Sequence, residues 1–440
     1  MLSVEDNELI TRVGPGTPGG NWFREYWLPF GVSSELPAPD CDPVRIMLLG
    51  EQLIAFRDSN GKVGLLANAC PHRGASLFFG RNEECGLRCV YHGWKFDVNG
   101  NCVDMPNEPA ESNFKHKVKA AAYPVEERGG LLWAYMGPRD TPPPLPDLEP
   151  NMREDMRRSV RTTQQECNWL QVLEGDIDTV HAGFLHGGSW KVDERPQGTF
   201  ADYLVRDRRV HFEAFDTPIG ACAGAWRPGP EGEKYWRIAQ FIMPCFDMAA
   251  PGLLGWKVGA ICRTPMDDHH TMSFFINASR DTNAQPGVRF GGNPTRPNTT
   301  DWFGRFRTEA GPENDFELNR ELQRSNSGHG GYSGIDGGAA KQDAAITWSM
   351  GTIYQRQREH LGTTDLLIIR TRRRILNAIK ALRDEGITPP GVDDPSLYRV
   401  RSGGIFLPWD ADWVAETEEL RKGFVEHPER HLDPAITGDS

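Results

Sequence analysis

The chain is poor in unbroken apolar sequence. No run approaches the roughly 18 consecutive apolar residues of a membrane span, and hydrophobic residues make up 38% of the 440. A membrane is therefore not an expected partner. Positive charge is also in deficit. Lys+Arg total 49 against 61 Asp+Glu, a net charge of -12, which argues against nucleic acid as a partner. Cysteines are few and odd in number, nine in all, and do not suit a disulfide framework. The first residues, Met1 to Glu8, lack the basic-then-apolar layout of a signal peptide, so a cytoplasmic location is expected. No Gly-x-Gly-x-x-Gly follows a strand pattern, so the chain itself should not bind a nicotinamide. The glycine-rich stretch Gly328 to Gly334 sits in a polar loop and reads as lid or linker.

What is abundant is Gly (47) and Pro (33), the mark of many turns and substantial β structure. The length allows two or three domains. Residues 1–40 read as an irregular arm packed on something larger, with an aromatic cluster at Trp22, Phe23, Tyr26 and Trp27. Short alternating runs at 45–49, 52–56, 63–67, 87–91 and 130–135, separated by turn signals such as Ser59-Asn60-Gly61, predict an all-β module over 41–145. A proline-rich linker at 139–146 marks its end. Residues 146–440 mix strands (203–215, 235–243, 271–277) with a helix. Ile368, Ile375, Leu376, Ile379 and Leu382 recur at helical spacing, with Gly386 beyond them. The fold class expected is α+β. Residues 283–340 read as a long polar loop.

Two constellations carry chemistry. The first is Cys70, His72, Cys89 and His92, spaced C-x-H-x16-C-x2-H, with Gly74 and Gly93 allowing sharp turns behind the ligands. Four N/S donors suit a tetrahedral Zn²⁺. They equally suit a [2Fe–2S] cluster with two thiolates on one iron and two imidazoles on the other. Zinc fingers usually keep like ligands together, whereas here each loop carries one of each, which favours the cluster. The second is Asp178, His181 and His186, spaced D-x2-H-x4-H. On an ideal helix the two histidines would lie about 140° apart, so the helix should end or loosen near Gly183. Two imidazoles and one carboxylate form the facial set of non-haem Fe(II) sites. A distant carboxylate must complete it, and Asp336 and Asp343 are the candidates.

The first motif resembles the Rieske family, and the second resembles the mononuclear-iron motif of Rieske oxygenases. Ala75 and Tyr91 stand where respiratory Rieske proteins carry an extra disulfide, which points to the oxygenase and ferredoxin type. Residues 341–362 resemble the phthalate dioxygenase branch, which also contains aryl O-demethylases. That resemblance assigns the third iron ligand to Asp343. One departure is Gln355-Arg356, where the branch usually has Asp-Arg.

The resemblance implies a Rieske domain followed by a helix-grip catalytic domain, an antiparallel sheet with helices. It implies a terminal oxygenase α subunit using O₂ on an aromatic acid, in a homotrimer or stacked hexamer. Electrons would come from a separate NAD(P)H-dependent reductase carrying flavin and [2Fe–2S]. They would pass from one subunit's cluster to its neighbour's iron across Asp178, which would bridge His181 and the neighbouring His92. Arg81, Arg88, Lys95, Lys115, Lys117 and Lys119 would either dock the reductase or form a solvated face. Arg237 is a candidate clamp for a substrate carboxylate. Cis-dihydroxylation and monooxygenation, including O-demethylation, both remain open. An electron carrier without catalytic iron is the competing class.

Overall fold

Residues 1–191, 200–250, 252–255, 257–279 and 293–425 are described by a computed structural model. The start of the chain is more regular than its Gly/Pro content predicts. Helices α1 (Val4–Thr11) and α2 (Pro18–Arg24) precede strand β1 (Trp27–Val32). The glycines and Pro18 build a helix entrance: Thr17 caps α2 by accepting the Gly20 N–H at 3.0 Å, and Pro18 takes the first turn, where no N–H is needed. Trp22 and Phe23 are fully buried. Phe23 meets Trp169 edge-on at 4.9 Å, so the arm is part of the main core.

An all-β module follows, as expected. Strands β2 (Val44–Leu48), β3 (Glu51–Arg57) and β4 (Val63–Ala67) form one sheet, and β5 (Arg81–Glu83), β6 (Gly86–Arg88), β7 (Lys95–Phe96) and β8 (Cys102–Asp104) a second. β9 (Ala122–Tyr123) completes the first sheet on β4, while β10 (Val125–Arg128) and β11 (Leu131–Tyr135) join β1 in a third. The turn after β3 is made by Asp58, whose Oδ1 accepts the N–H groups of Asn60 and Lys62, with Gly61 at φ 81°. β6 stops at Arg88, so Cys89 to Tyr91, expected within a strand, belong to a loop. The linker is pinned where Trp27 Nε1 donates to the Pro143 carbonyl at 2.7 Å.

The second half opens with the one-turn helix α3 (Glu149–Met152), strand β12 (Arg157–Gln165) and helix α4 (Trp169–Ile177). Helix α5 (Phe200–Arg206) occupies the start of the stretch expected as a strand from 203 to 215. Asp202 and Arg206, one turn apart and 2.5 Å from each other, support helix there, and the strand begins only at β13 (His211–Thr217). Then come β14 (Gly220–Pro228), β15 (Glu233–Ile242), β16 (Phe246–Met248), β17 (Lys257–Pro265) and β18 (Thr271–Ser279). Part of the predicted polar loop lies outside the described residues. The rest carries α6 (Arg320–Ser325) and runs into α7 (Ala339–Ser349). Helix α8 (Leu366–Glu385) ends on Gly386 at φ 67°, as its pattern predicts. Strand β19 (Gly403–Pro408) and helix α9 (Trp413–Glu416) close the described chain.

The antiparallel sheet runs β12-β18-β17-β16-β15-β14-β13, with β19 paired to β15. Trp169, Leu170 and Leu173 of α4 and Ile375 and Ile379 of α8 share one buried cluster with Ala223, Ala239 and Phe241 of its inner face. The outer face packs Trp236 on Trp413 of α9, rings stacked at 5.2 Å. This is the α+β arrangement expected: helix α4, which leads to the second ligand motif, lies against the sheet. No helix among the described residues is long and apolar enough to cross a membrane.

Candidate metal centres

The loops carrying the first constellation are built alike. Cys70 N–H donates to the Ala75 carbonyl at 2.8 Å and Gly74 N–H to the Cys70 carbonyl at 2.8 Å. In the second loop Cys89 N–H donates to Trp94 and Gly93 N–H to Cys89, both at 2.9 Å. Gly74 and Gly93 hold φ of 76° and 80°, a conformation open to glycine and strained for other residues. A Cβ on Gly93 would also lie 2.7 Å from Pro106 Cγ. Two identical folds of backbone thus present two thiols side by side. Cys70 and Cys89 are each 2% exposed, and the His72 and His92 rings lie 4.4 Å apart.

Burial pushes the Cys70 thiol up to about 11, against backbone N–H groups of His72 and Arg73 directed at its sulfur. Such N–H donors favour a thiolate, the form a metal binds. His72 Nδ1 is buried with no hydrogen-bond partner among the described residues, a cost that a metal bond would remove. The donor set therefore fits a [2Fe–2S] cluster. Trp94, which sequence reasoning left without a role, stacks on His72 at 4.2 Å and 12° and is anchored by donating Nε1 to Asn107 Oδ1 at 2.9 Å. Cys85 lies apart as expected, its sulfur accepting from Asn60 Nδ2. Some of the basic residues nearby are already paired. Arg88 pairs with Glu83 and Asp104, and Lys95 is buried against Glu84, so neither belongs to a free docking face.

The second constellation follows α4. The helix ends earlier than expected, at Ile177. Asp178 Oδ1 accepts the Val180 N–H at 2.8 Å, a local bond that competes with the helix ladder. His181 then begins a tight turn, His181–Gly183, and the chain folds back so that His186 meets it. His181 Nε2 and His186 Nε2 are 3.1 Å apart, and Asp343 Oδ1 lies 3.4 and 3.2 Å from them. Donors about 2.1 Å from one ion and at right angles to each other would be separated by about 3.0 Å, so this triangle fits one face of a metal's coordination sphere. Asp336, the other candidate, has 70% of its side chain exposed and pairs with His329.

Without an ion, burial lowers the His181 pKa but Asp178 and Asp343 outweigh it and hold the ring up at about 10. Burial raises Asp343, but the two histidines bring it well below the usual carboxylate range. The pocket is built to hold positive charge. Asp178 Oδ2 stands 3.7 Å from His181 Nδ1, ion-pair rather than hydrogen-bond distance. Among the described residues, no contact within the chain joins Asp178 to His92.

Gln342 is the residue the sequence reading missed. It is fully buried on α7, one position before Asp343. Its Nε2 donates to the Ile335 carbonyl at 2.8 Å, which turns Oε1 toward His186 Nδ1 at 2.7 Å. Nδ1 must then carry the proton, leaving Nε2 free to face the centre. No spacing rule reveals this, because the partner is created by the packing of α7 on the histidine turn. Replacing Gln342 with Leu is expected to weaken iron binding roughly 10–100-fold, read by chelator competition, with the cluster absorption unchanged. The turn is also held by Arg208, which donates to the carbonyls of Gly187 and Gly188. The Gln355 departure falls on an exposed residue, whereas Arg356 is buried against Glu174 of α4. Arg237 sits on β15 and donates to the Ala250 carbonyl at 3.2 Å. Burial lowers its pKa.

Residues 26–124 match the family model of the Rieske [2Fe-2S] domain, and residues 134–428 match the LigXa C-terminal domain like family. The chain belongs to the Rieske oxygenase family. Similar proteins include the oxygenase subunit of 3-chlorobenzoate-3,4-dioxygenase from Comamonas testosteroni, 43% identical over 97% of this chain and 100% of that one. The phthalate 4,5-dioxygenase oxygenase subunit of Pseudomonas putida is 35% identical, covering 94% of each chain. The 5,5'-dehydrodivanillate O-demethylase oxygenase subunit of a Sphingobium strain is 32% identical, covering 98% of this chain and 93% of that one. The crystal structure of dicamba monooxygenase bound to dicamba shares the fold, with a TM-score of 0.56 at 20% identity over 82% of this chain and 99% of that one. This Rieske oxygenase is an oxidoreductase whose cofactors are a [2Fe–2S] Rieske cluster and a mononuclear iron.

Proposed function

We propose that this chain is the terminal oxygenase subunit of a multicomponent system that hydroxylates or oxidatively O-demethylates an aromatic acid in the cytoplasm. The carrying observation is the triangle of His181, His186 and Asp343 donors, 3.1 to 3.4 Å on a side, in the same chain as the paired Cys/His loops. Cys70, His72, Cys89 and His92 hold the cluster over residues 41–145, behind the arm of residues 1–40. His181, His186 and Asp343 hold the iron within residues 146–440. When bound, the iron supplies O₂ activation and the cluster relays reductase electrons to it.

The protein's part is to orient these ligands and to place a substrate beside them. Gln342 fixes His186 in the tautomer that offers Nε2. Asp178 orients His181 and bridges to His92 of a neighbouring copy in a homotrimer or stacked hexamer, where closed symmetry gives each iron one cluster. A separate NAD(P)H-dependent flavin/[2Fe–2S] reductase supplies the electrons, and Arg237 is the candidate clamp for the substrate carboxylate.

The relatives' names, two dioxygenases and an O-demethylase, support both outcomes, since one iron site serves either. The test is metal content together with product. The oxygenase reading expects three irons per chain and product from an aromatic acid, with formaldehyde released only from methoxylated acids. Two irons per chain and no product from any aromatic acid would instead leave an electron carrier.

A further inference from the structure

The inner face of the catalytic sheet carries a charged group that the ligand set does not use. In the β14–β15 ladder Ala225 pairs with Arg237 and Arg227 with Tyr235, which puts both arginines on one face as diagonal neighbours. Arg227 is 1% exposed. Its Nε donates to the Asp207 carbonyl at 3.0 Å, but among the described residues neither Nη1 nor Nη2 has a hydrogen-bond partner. Burial, and then the charge of Arg237, lower its pKa only to about 10, so it is a cation at neutral pH. A buried cation with unused N–H donors is costly, and its planar fork matches a carboxylate in two parallel bonds.

The surroundings are aromatic. Tyr203 of α5 stacks on Tyr235 at 5.1 Å, and Tyr235 packs on Phe406 at 5.0 Å. The neighbouring positions on this face are small: Ala223, Ala225 and Ala239. The same face is tied to the iron site. Just beyond α5, the Asp207 carbonyl holds Arg227, and the adjacent Arg208 holds the carbonyls of Gly187 and Gly188 behind His186.

We propose that Arg227 is a substrate-binding residue, receiving the carboxylate of the aromatic acid through its two free guanidinium nitrogens. The assignment rests on the aromatic-acid reading given above and adds to it the group that reads the acid. Arg237, on the adjacent strand and donating to the Ala250 carbonyl, adds a second positive charge that a bound carboxylate would offset.

The test uses metal-loaded enzyme and two probes of the same shape, benzoate and benzamide, with Kd measured by titration calorimetry. The wild type is expected to bind benzoate more tightly. Arg227→Gln should weaken benzoate roughly 100-fold and leave benzamide within about threefold. Ligand-free Arg227→Gln should melt no lower than the wild type, because an unpaired buried charge has been removed. A variant that still prefers benzoate as the wild type does overturns the role of Arg227 alone. Loss of both probes together with a lower melting temperature marks a structural arginine and also overturns it. A wild type indifferent to benzoate over benzamide removes the aromatic-acid reading itself, and this assignment with it. Should Arg227→Gln not fold, Arg227→Lys carries the test. It keeps the charge without the fork, and a roughly tenfold loss confined to benzoate is expected, while no selective loss overturns the proposal.

Discussion

Asp343→Ala and His181→Ala are expected to retain the visible absorption and reduced-state EPR signal of the cluster, to lose one iron per chain, and to show no detectable turnover. The two centres are built by separate parts of the chain. Cys70 and Cys89 lie in a core with Ile54, Phe56 and Leu87, which neither substitution touches. Each substitution removes one corner of a three-atom triangle, and two remaining donors hold a labile ferrous ion poorly. Turnover retained in either variant would remove that residue from the site. Asp178→Asn should behave differently. It keeps a hydrogen-bonding side chain beside His181 but loses the charge, so both metals remain while product formation slows roughly 10–100-fold. Normal single-turnover electron transfer in that variant would disprove the bridge.

Glu174→Ala is expected to destabilise the protein by about 3–5 kcal/mol, measured as a fall in denaturant midpoint at neutral pH. Glu174 lies on the helix that leads to the iron ligands, and its carboxylate accepts from Arg356 Nη2 at 2.9 Å and Arg372 Nε at 2.5 Å. All three side chains are at most 10% exposed. Arg356 also donates to Asn7 of α1 and Arg372 to Glu359, so the network joins the N-terminal arm, α4 and α8. Removing the central carboxylate leaves two buried guanidinium groups short of countercharge. A change below about 1 kcal/mol would show that they find other partners.

The same group has a pH signature. Burial raises the Glu174 pKa, but Arg356 and Arg372 outweigh it and hold it below its ordinary value of 4.5. A depressed carboxylate contributes stability that is fully present above its unfolded pKa and lost as pH falls through the folded one. Wild-type stability should therefore decline below about pH 4.5 more steeply than that of Glu174→Gln.

Much of the chemistry was legible without coordinates because it is local. The paired loops at Cys70 and Cys89 depend on ligands a few residues apart and a glycine at the turn, and helix α8 on a repeating apolar stripe with Gly386 at its end. The local reading failed where a neighbouring group or packing redirected the chain. Asp178 stopped α4 early with its own side chain, the arm's glycines formed a helix entrance rather than a loop, and Asp202 with Arg206 made helix where a strand was expected. Asp343 was assigned by resemblance, with Asp336 set aside because it falls in a Gly-rich loop, where its side chain is indeed 70% exposed. Only the folded chain decided what surrounds each group. Packing α7 on the histidine turn made Gln342 the partner of His186, and pairing β14 with β15 put Arg227 beside Arg237 and out of water. Short spacings single out candidate ligands, whereas burial, tautomer and unmet hydrogen bonds arise only when distant segments close over one another and exclude solvent.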